Sequence, residues 1–472
     1  MKATVPRSGL PVDARRCLLA SGTVPRSPAR SDERVHFATV PDSLFPRAER
    51  VLPGGVTAAA RTNPAIGEPL YFRSGAGSRV TLEDGRTLLD TCMSNGAALL
   101  GHGHPAIVDA IAEAGQRGLI CAYDGEEQIR LAERLVDLIP SFEMVRFTTT
   151  GTEATFYLTR IARAFTGRPL IVKFAGHFHG FNDALAFNFP RSADVLLPAL
   201  RPETAGMPPG AETGVVVVPF NDLGAFALVM DRHGAEIAAV VLEPINYDAG
   251  AIEPLPGFLE ALQARTRAAG ALLVFDEILS GFRTGPGGAQ ARFGVTPDLT
   301  ALGKAVAGGV PLSVFGGRRD VMSIVSPLGP AVHTGTYNAH LIPVLAAHAF
   351  LDTIGRPEFW PNLLATHERL YRGLDDAFRR AGVPIRVQGV GARFALYFGL
   401  DPATRVTAYA RAATFDREMQ LRFSREMLDR GVYVNPVWHH GVSAAHTPAD
   451  VDAIVAAAYD SARAMAREPA RA

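Results

Sequence analysis

The chain has little cysteine, no long apolar run and no net charge. Its 3 cysteines, Cys17, Cys92 and Cys121, show no metal-ligand spacing and no even framework, which fits a reducing compartment and predicts a cytoplasmic protein. No apolar run approaches the roughly 20 residues that cross a bilayer, so no membrane-spanning helix is expected. Lys+Arg and Asp+Glu are equal at 47 each, so no overall field draws the chain to nucleic acid or to an anionic membrane. The paired histidines of Gly101-His102-Gly103-His104-Pro105 have no acid or cysteine beside them; the string opens a helix through about Ala114 and reads as a turn, so no metal is expected.

What is present is the material of a large globular protein. A hydrophobic share of 47% with 20% charged residues is enough to build a core, and 472 residues suit one large domain plus a smaller one. Residues 1–42 stand apart: Arg7, Arg15, Arg16, Arg26 and Arg30 lie among Pro and Ser without periodicity, and Thr-Val-Pro-Arg-Ser occurs at both Thr4–Ser8 and Thr23–Ser27. A disordered extension is expected there. From Phe45 on the chain is organised, with a short helix at Arg47–Leu52 and a hairpin over Arg79–Asp90 that turns at Asp84-Gly85.

Apolar runs at Gly214–Val218, Ile237–Leu242 and Leu272–Phe275 are continuous rather than alternating, and a helix at Gly257–Ala269 falls between two of them. That pattern predicts an α/β fold with a mainly parallel sheet. The run Leu272–Phe275 ends in Asp276-Glu277; a second short run, after Pro297-Asp298, ends in Gly303-Lys304. Together they put an anion and an amine at the carboxyl edge of one sheet, where open α/β sheets bind ligands. Pyridoxal phosphate chemistry uses such a pair: a partly desolvated lysine holds the cofactor aldehyde, and an aspartate keeps the pyridine ring protonated so that it accepts electrons. Taken singly the two residues have ordinary readings, since strand-end acids also cap helices or pair with arginine, and most lysines are solvated. Thr148-Thr149-Thr150-Gly151-Thr152-Glu153-Ala154 follows another apolar strand and enters a helix to about Phe165. Its exposed backbone N–H groups, at Gly151 and Thr152 above all, suit a phosphate.

Phe275-Asp276-Glu277, Ser280-Gly281-Phe282-Arg283, Gly287-Gly288-Ala289-Gln290, Gly294–Thr300 and Leu302-Gly303-Lys304 together resemble the fold-type I, class III aminotransferases, in the branch of glutamate-1-semialdehyde aminomutase and the D-phenylglycine and β-phenylalanine aminotransferases. The resemblance runs from about Phe45 to the C-terminal region. It implies a pyridoxal 5'-phosphate enzyme with a large cofactor domain at 101–344, a small α+β domain at 345–472, and residues 43–100 packing with the small domain. Lys304 and Asp276 become the catalytic pair, and Thr150, Gly151 and Thr152 the phosphate turn, with Thr150 where the family usually has Ser. Phe178, in Phe174–Gly180, stands where an aromatic stacks on the ring; the usual Tyr is absent, so a hydroxyl is lost. His179 then lies near the cofactor, with a satisfied core histidine as the other reading. Glu243, in Glu243-Pro244-Ile245-Asn246, helps organise the pocket or serves as a structural carboxylate. Arg61 matches a substrate-carboxylate arginine, an ordinary loop arginine being the alternative. Thr336 matches a threonine that reaches across a homodimer to the partner's cofactor phosphate.

Ala339-His340-Leu341 replaces the family's Gly-Asn-Pro, which bears on the path of that loop. Two other departures shape the functional expectation: Asn95 stands where the aminomutases carry tryptophan, and their acid upstream of Ser443–Thr447 is replaced by a shorter segment with Trp438, His439 and His440. A mutase must retain its two-nitrogen intermediate until the amine returns at the neighbouring carbon, and it needs pocket groups tuned to that. Their loss favours transamination between an α- or β-amino acid and a keto acid through pyridoxamine phosphate. The alternative is the semialdehyde aminomutase, or a related isomerase or racemase. A cofactor-sensing regulator is disfavoured because no DNA-binding segment is evident.

Overall fold

The structure, a computed structural model, describes residues 44–188, 200–436 and 440–467. The expectation for residues 1–42, and the readings of Trp438 and His439, lie outside the described residues.

Seven strands make the central sheet, in the spatial order Met144–Thr148, Ser313–Gly317, Leu299–Leu302, Leu272–Glu277, Ile237–Leu242, Leu170–Phe174 and Val215–Val218. Only Ser313–Gly317 runs against its neighbours, so the sheet is mainly parallel as the apolar runs predict. The reason is burial on both faces: every residue of Ile237–Leu242, Leu272–Glu277 and Leu299–Leu302 is buried, and a strand without a wet face has no use for alternation. Helices such as Gly151–Thr166 and Phe258–Ala269 supply the cover, through Ala154, Leu158 and Ile161 of the first and Phe258, Leu259 and Leu262 of the second.

Register decides what reaches the edge. Leu242 pairs with Phe275, and Glu277 pairs with Leu302. The residues that follow or end these three strands, Glu243, Asp276 and Lys304, therefore leave the sheet at nearly the same level. A one-residue slip would turn Asp276 to the other face.

The C-terminal part builds a smaller layer. The hairpin Ile385–Val390 with Arg393–Phe398 carries Phe394, Leu396 and Phe398 against Leu370, Phe378, Phe423 and Ile454 of the helices Phe359–Ala381, Arg417–Asp429 and Pro448–Arg467. The N-terminal strands Phe72–Ala76, Arg79–Leu82 and Thr87–Asp90 form a separate sheet, turning near Gly85 at φ 90°. That sheet is completed by Val432–Tyr433, parallel to Thr87–Asp90. The first helix is Leu44–Glu49, a few residues earlier than the sequence pattern suggests, because Pro53–Gly55 forms its own tight turn.

Asp276 and Glu277 are neighbours on one strand and so point to opposite faces. Glu277 is fully buried and accepts from the Ala289 and Gln290 N–H groups at 2.6 and 3.1 Å, from Gln290 Nε2 at 3.0 Å and from Ser280 Oγ at 3.0 Å. Gly288, at φ 70°, lies so close that a Cβ there would be 2.6 Å from Glu277 Oε2. Glu277 thus fastens the glycine-rich loop and leaves Asp276 to the other face. Glu277→Ala strands several buried donors and is expected to cost about 3 kcal/mol or more, read as a lower denaturant midpoint; an unchanged midpoint would show that the loop is held by other contacts.

Candidate active site

At the carboxyl edge of the sheet lies a cavity of about 280 Å³. Thr150, Gly151, Thr152, Phe178, Glu243, Asp276 and Lys304 all line it.

The helix Gly151–Thr166 starts with a capping box: Glu153 N–H donates to Thr150 Oγ1 at 3.3 Å, and Glu153 Oε2 accepts from the Thr150 and Thr149 N–H groups at 2.8 and 3.0 Å. The cap uses Thr150 and Glu153 and leaves the first helical N–H groups, those of Gly151 and Thr152, without an intrahelical partner and at the positive end of the dipole. Two glycines keep the space open. A Cβ on Gly151 would lie 2.6 Å from Ile278 Cδ1, and one on Gly180, which has φ 80°, would run into Thr152 Oγ1 and lie 2.8 Å from Thr152 Cα.

Asp276 is held from two sides. His179 Nδ1 stands 2.7 Å from Oδ2, and the Ile278 N–H donates to Oδ1 at 3.0 Å. His179 is 1% exposed; burial pushes its pKa down while Asp276 pulls it up. With its proton on Nδ1 the ring donates to the carboxylate, and Nε2 has no hydrogen-bond partner among the described residues. His179 is thus a buried histidine held against Asp276. Glu243 organises the adjoining loop: Oε1 accepts from Phe178 N–H at 2.9 Å, Oε2 from Tyr247 N–H at 3.2 Å, and the Glu243 N–H donates to His177 Nδ1 at 2.9 Å. Burial, with Asp248 and Asp276 close by, lifts its carboxyl well above the usual range.

Lys304 opens a short 3₁₀ turn, Lys304–Ala307, at φ 46°, a left-handed conformation that non-glycine residues rarely hold away from functional sites. Burial lowers its pKa; Asp248 and Glu243 oppose that, and Arg393 and Arg283 add to it. An amine so placed is easier to deprotonate than a surface lysine.

Three predicted residues do not line this cavity: His179 reaches it only through Asp276, and Arg61 and Thr336 are not brought to it. Arg61 is exposed and its guanidinium is bonded to Thr57 Oγ1; Thr336 is exposed on the loop before Leu341–Ile354. Other features were not singled out from the sequence. Asp248 lines the cavity, and its signal was its place five residues after Glu243 in the same strand-end loop. Lys173 is fully buried beneath the loop that carries Phe178 and donates to the carbonyls of His177, Leu185 and Phe187 at 3.0, 3.2 and 2.5 Å; burial brings its pKa down to about 7. Arg283 and Arg393 are both buried and converge on a turn in which Met93, Ser94, Asn95 and Gly96 have φ of 51, 53, 53 and 88°. Arg283 Nη2 donates to Gly96 O at 2.5 Å and Arg393 Nη1 to Cys92 O at 3.2 Å. Asn95 Oδ1 accepts from Cys92 Sγ at 3.2 Å and from Asn435 Nδ2 at 3.3 Å. The next residue, Ala97, lines the cavity.

An anion cradle, an acid fixed by a histidine and a desolvated lysine on one cavity are what pyridoxal phosphate requires. Residues 62–446 match the family Aminotransferase class-III. The chain belongs to the class III aminotransferases. It is 40% identical over 418 residues to a glutamate-1-semialdehyde 2,1-aminomutase of Laribacter hongkongensis, covering 88% of this chain and 97% of the relative. An omega-transaminase from Sphaerobacter thermophilus superposes with a TM-score of 0.83 at 34% identity, over 90% of this chain and 97% of that one. A transaminase with pyridoxal phosphate bound gives 0.83 at 31%, over 90% and 98%. The class III chain is thus a pyridoxal-phosphate-dependent enzyme with the fold-type I architecture.

Gly180→Ala is expected to weaken cofactor retention about tenfold or more, because the new methyl displaces Thr152 from the cradle. Reconstitution of the cofactor-free protein, followed by absorbance, measures it; unchanged affinity would remove the Gly180–Thr152 contact from the site.

Proposed function

We propose that this class III enzyme transfers an amino group between an α- or β-amino acid and a keto acid. The observation that carries the reading is the placement of Lys304, Asp276 and the Gly151–Thr152 helix start on one cavity; the sequence adds Asn95 where an aminomutase tryptophan is expected. Bound there, pyridoxal phosphate supplies an aldehyde to capture amines and a ring to accept electrons. Asp276, oriented by His179, holds a proton on the ring nitrogen. Gly151 and Thr152 bind the phosphate through their N–H groups, and Thr150 sets the path of that turn. Phe178 offers a flat apolar wall and no acid or base. Glu243 holds the Phe178 loop in place. Lys304 Nζ would hold the cofactor aldehyde and would carry a proton from the amino-bearing carbon of the substrate to the cofactor carbon, as base and then as acid.

The proposal includes a homodimer in the cytoplasm. Thr336 would reach the partner's phosphate site, which accords with its exposure and with that of its neighbours Tyr337 and Val332. Arg61 lies away from the cavity of its own chain, and its role as a contact for substrate carboxylate is proposed from its matching position alone. A second reading, the 2,1-aminomutase, draws on the 40% identity to the Laribacter protein.

One half-reaction separates them. The holoenzyme is mixed with single α-amino, β-amino and diamino acids in the absence of any keto acid. Transamination predicts conversion of the cofactor to its amine form with one equivalent of keto product. A rearranged or racemised amino acid with the cofactor unchanged would return the isomerase reading. Lys304→Ala should abolish turnover with the fold intact, and turnover at a normal rate would sink the assignment. Asp276→Asn should depress turnover about a hundredfold or more; near-normal activity would remove Asp276 from its role. Arg61→Ala should raise KM for carboxylate substrates and spare simple amines; an equal effect on both would exclude it.

A further inference from the structure

The hairpin Ile385–Val390 with Arg393–Phe398 belongs to the C-terminal layer, yet it bonds directly to a loop of the cofactor-binding part of the chain. That loop runs from Asn246 to Ile252 and is closed by a pair of backbone hydrogen bonds, each 2.9 Å. Gln388 Nε2 donates to Ala251 O at 2.9 Å. Tyr397 Oη stands 2.9 Å from Ala249 O and 2.5 Å from Gly250 O, one of which takes its single proton. The remaining contact runs the other way: Tyr247 Oη, from the loop, donates to Val390 O at 2.7 Å.

Tyr247 does not line the cavity, but its bonds lead there. Its backbone N–H donates to Glu243 Oε2 at 3.2 Å, and Glu243 Oε1 accepts the Phe178 N–H at 2.9 Å. Phe178 and Glu243 both line the cavity. Three hydrogen bonds in series thus run from the main chain of the hairpin to the main chain of Phe178. A separate brace, Asn246, takes the Ala249 N–H at 2.8 Å and donates to Gly176 O at 3.2 Å, so it reaches the strand end rather than Phe178.

The series is dry and closely packed. Tyr247 is 2% exposed and packs with Ile245, Leu279, Ala289 and Val390, and Glu243 is 3% exposed. A buried phenol has no water to take the place of Val390 O, and a buried Val390 O has none to take the place of the phenol. Burial also pushes the phenol up, so it stays a donor across the working pH range.

We propose that Tyr247 is a positioning residue through which the C-terminal hairpin sets the place of Phe178, and with it the fit of the cofactor ring. Tyr247 acts through Glu243 and touches neither cofactor nor substrate. The inference rests on Phe178 being the wall against the ring, and the test separates the two.

Wild-type holoenzyme is compared with Tyr247→Phe, Glu243→Gln, the double variant and Phe178→Ala. Cofactor affinity on reconstitution, circular dichroism of the bound cofactor and hydrogen exchange of the Phe178 N–H are measured. Tyr247→Phe removes one oxygen and is expected to weaken cofactor binding about threefold to tenfold. The dichroic band weakens and the Phe178 N–H exchanges faster. Glu243→Gln leaves one acceptor oxygen for two N–H donors and already cuts the series. In that background Tyr247→Phe is therefore expected to add about twofold or less, whereas a merely structural loss would repeat in full. Full additivity, or a Phe178 N–H that exchanges at the wild-type rate in Tyr247→Phe, overturns the proposal. Phe178→Ala with wild-type affinity and dichroism overturns the reading of Phe178 instead. Where Tyr247→Phe is recovered without cofactor, exchange at Phe178 against the cofactor-free wild type decides: faster exchange supports the series, and an equal rate overturns it.

Discussion

The register of three parallel strands is the constraint on which the site depends. Backbone pairing between Ile237–Leu242, Leu272–Glu277 and Leu299–Leu302 brings Glu243, Asp276 and Lys304 to one edge, before any side chain contributes. The pairing is secure because the strands are buried throughout and cannot slide without exposing apolar residues or burying charges. What the edge then holds is electrostatically demanding: three acids and an amine around a cavity of about 280 Å³. Such a set is tolerable because each acid has donors or an opposite charge, and because the cavity is built to receive a phosphorylated, charged ligand.

Much of this was legible in the sequence because it follows from strand ends. Two apolar runs and what terminates them put Asp276 and Lys304 at one sheet edge, the resemblance made them a catalytic pair, and the phosphate turn followed from small residues entering a helix. Resemblance supplied Phe178, Glu243 and His179, and the geometry gives these residues definite neighbours: His179 lies against Asp276, and Glu243 beneath the Phe178 backbone. Phe178 lines the cavity, and its missing hydroxyl was visible from the sequence alone.

The less legible part is whatever depends on contacts between segments distant in sequence. Arg393 meets Cys92 O across 301 positions and Arg283 meets Gly96 O across 187; no local pattern announces either. Asp248 sits in a loop whose closure, Asn246 to Ile252, is visible only in three dimensions. Arg61 and Thr336 show the opposite case, residues assigned by matching position and found exposed, away from the cavity of their own chain.

The left-handed run Met93–Gly96 ties distant parts of the chain together beside the cavity. Three successive non-glycine residues are held at positive φ; Arg283 grips Gly96 O, Arg393 grips Cys92 O just before the run, and Asn95 Oδ1 takes Cys92 Sγ and Asn435 Nδ2. Main-chain and side-chain contacts hold the turn jointly, so a substitution at Asn95 loosens the path that leads into Ala97 on the cavity wall.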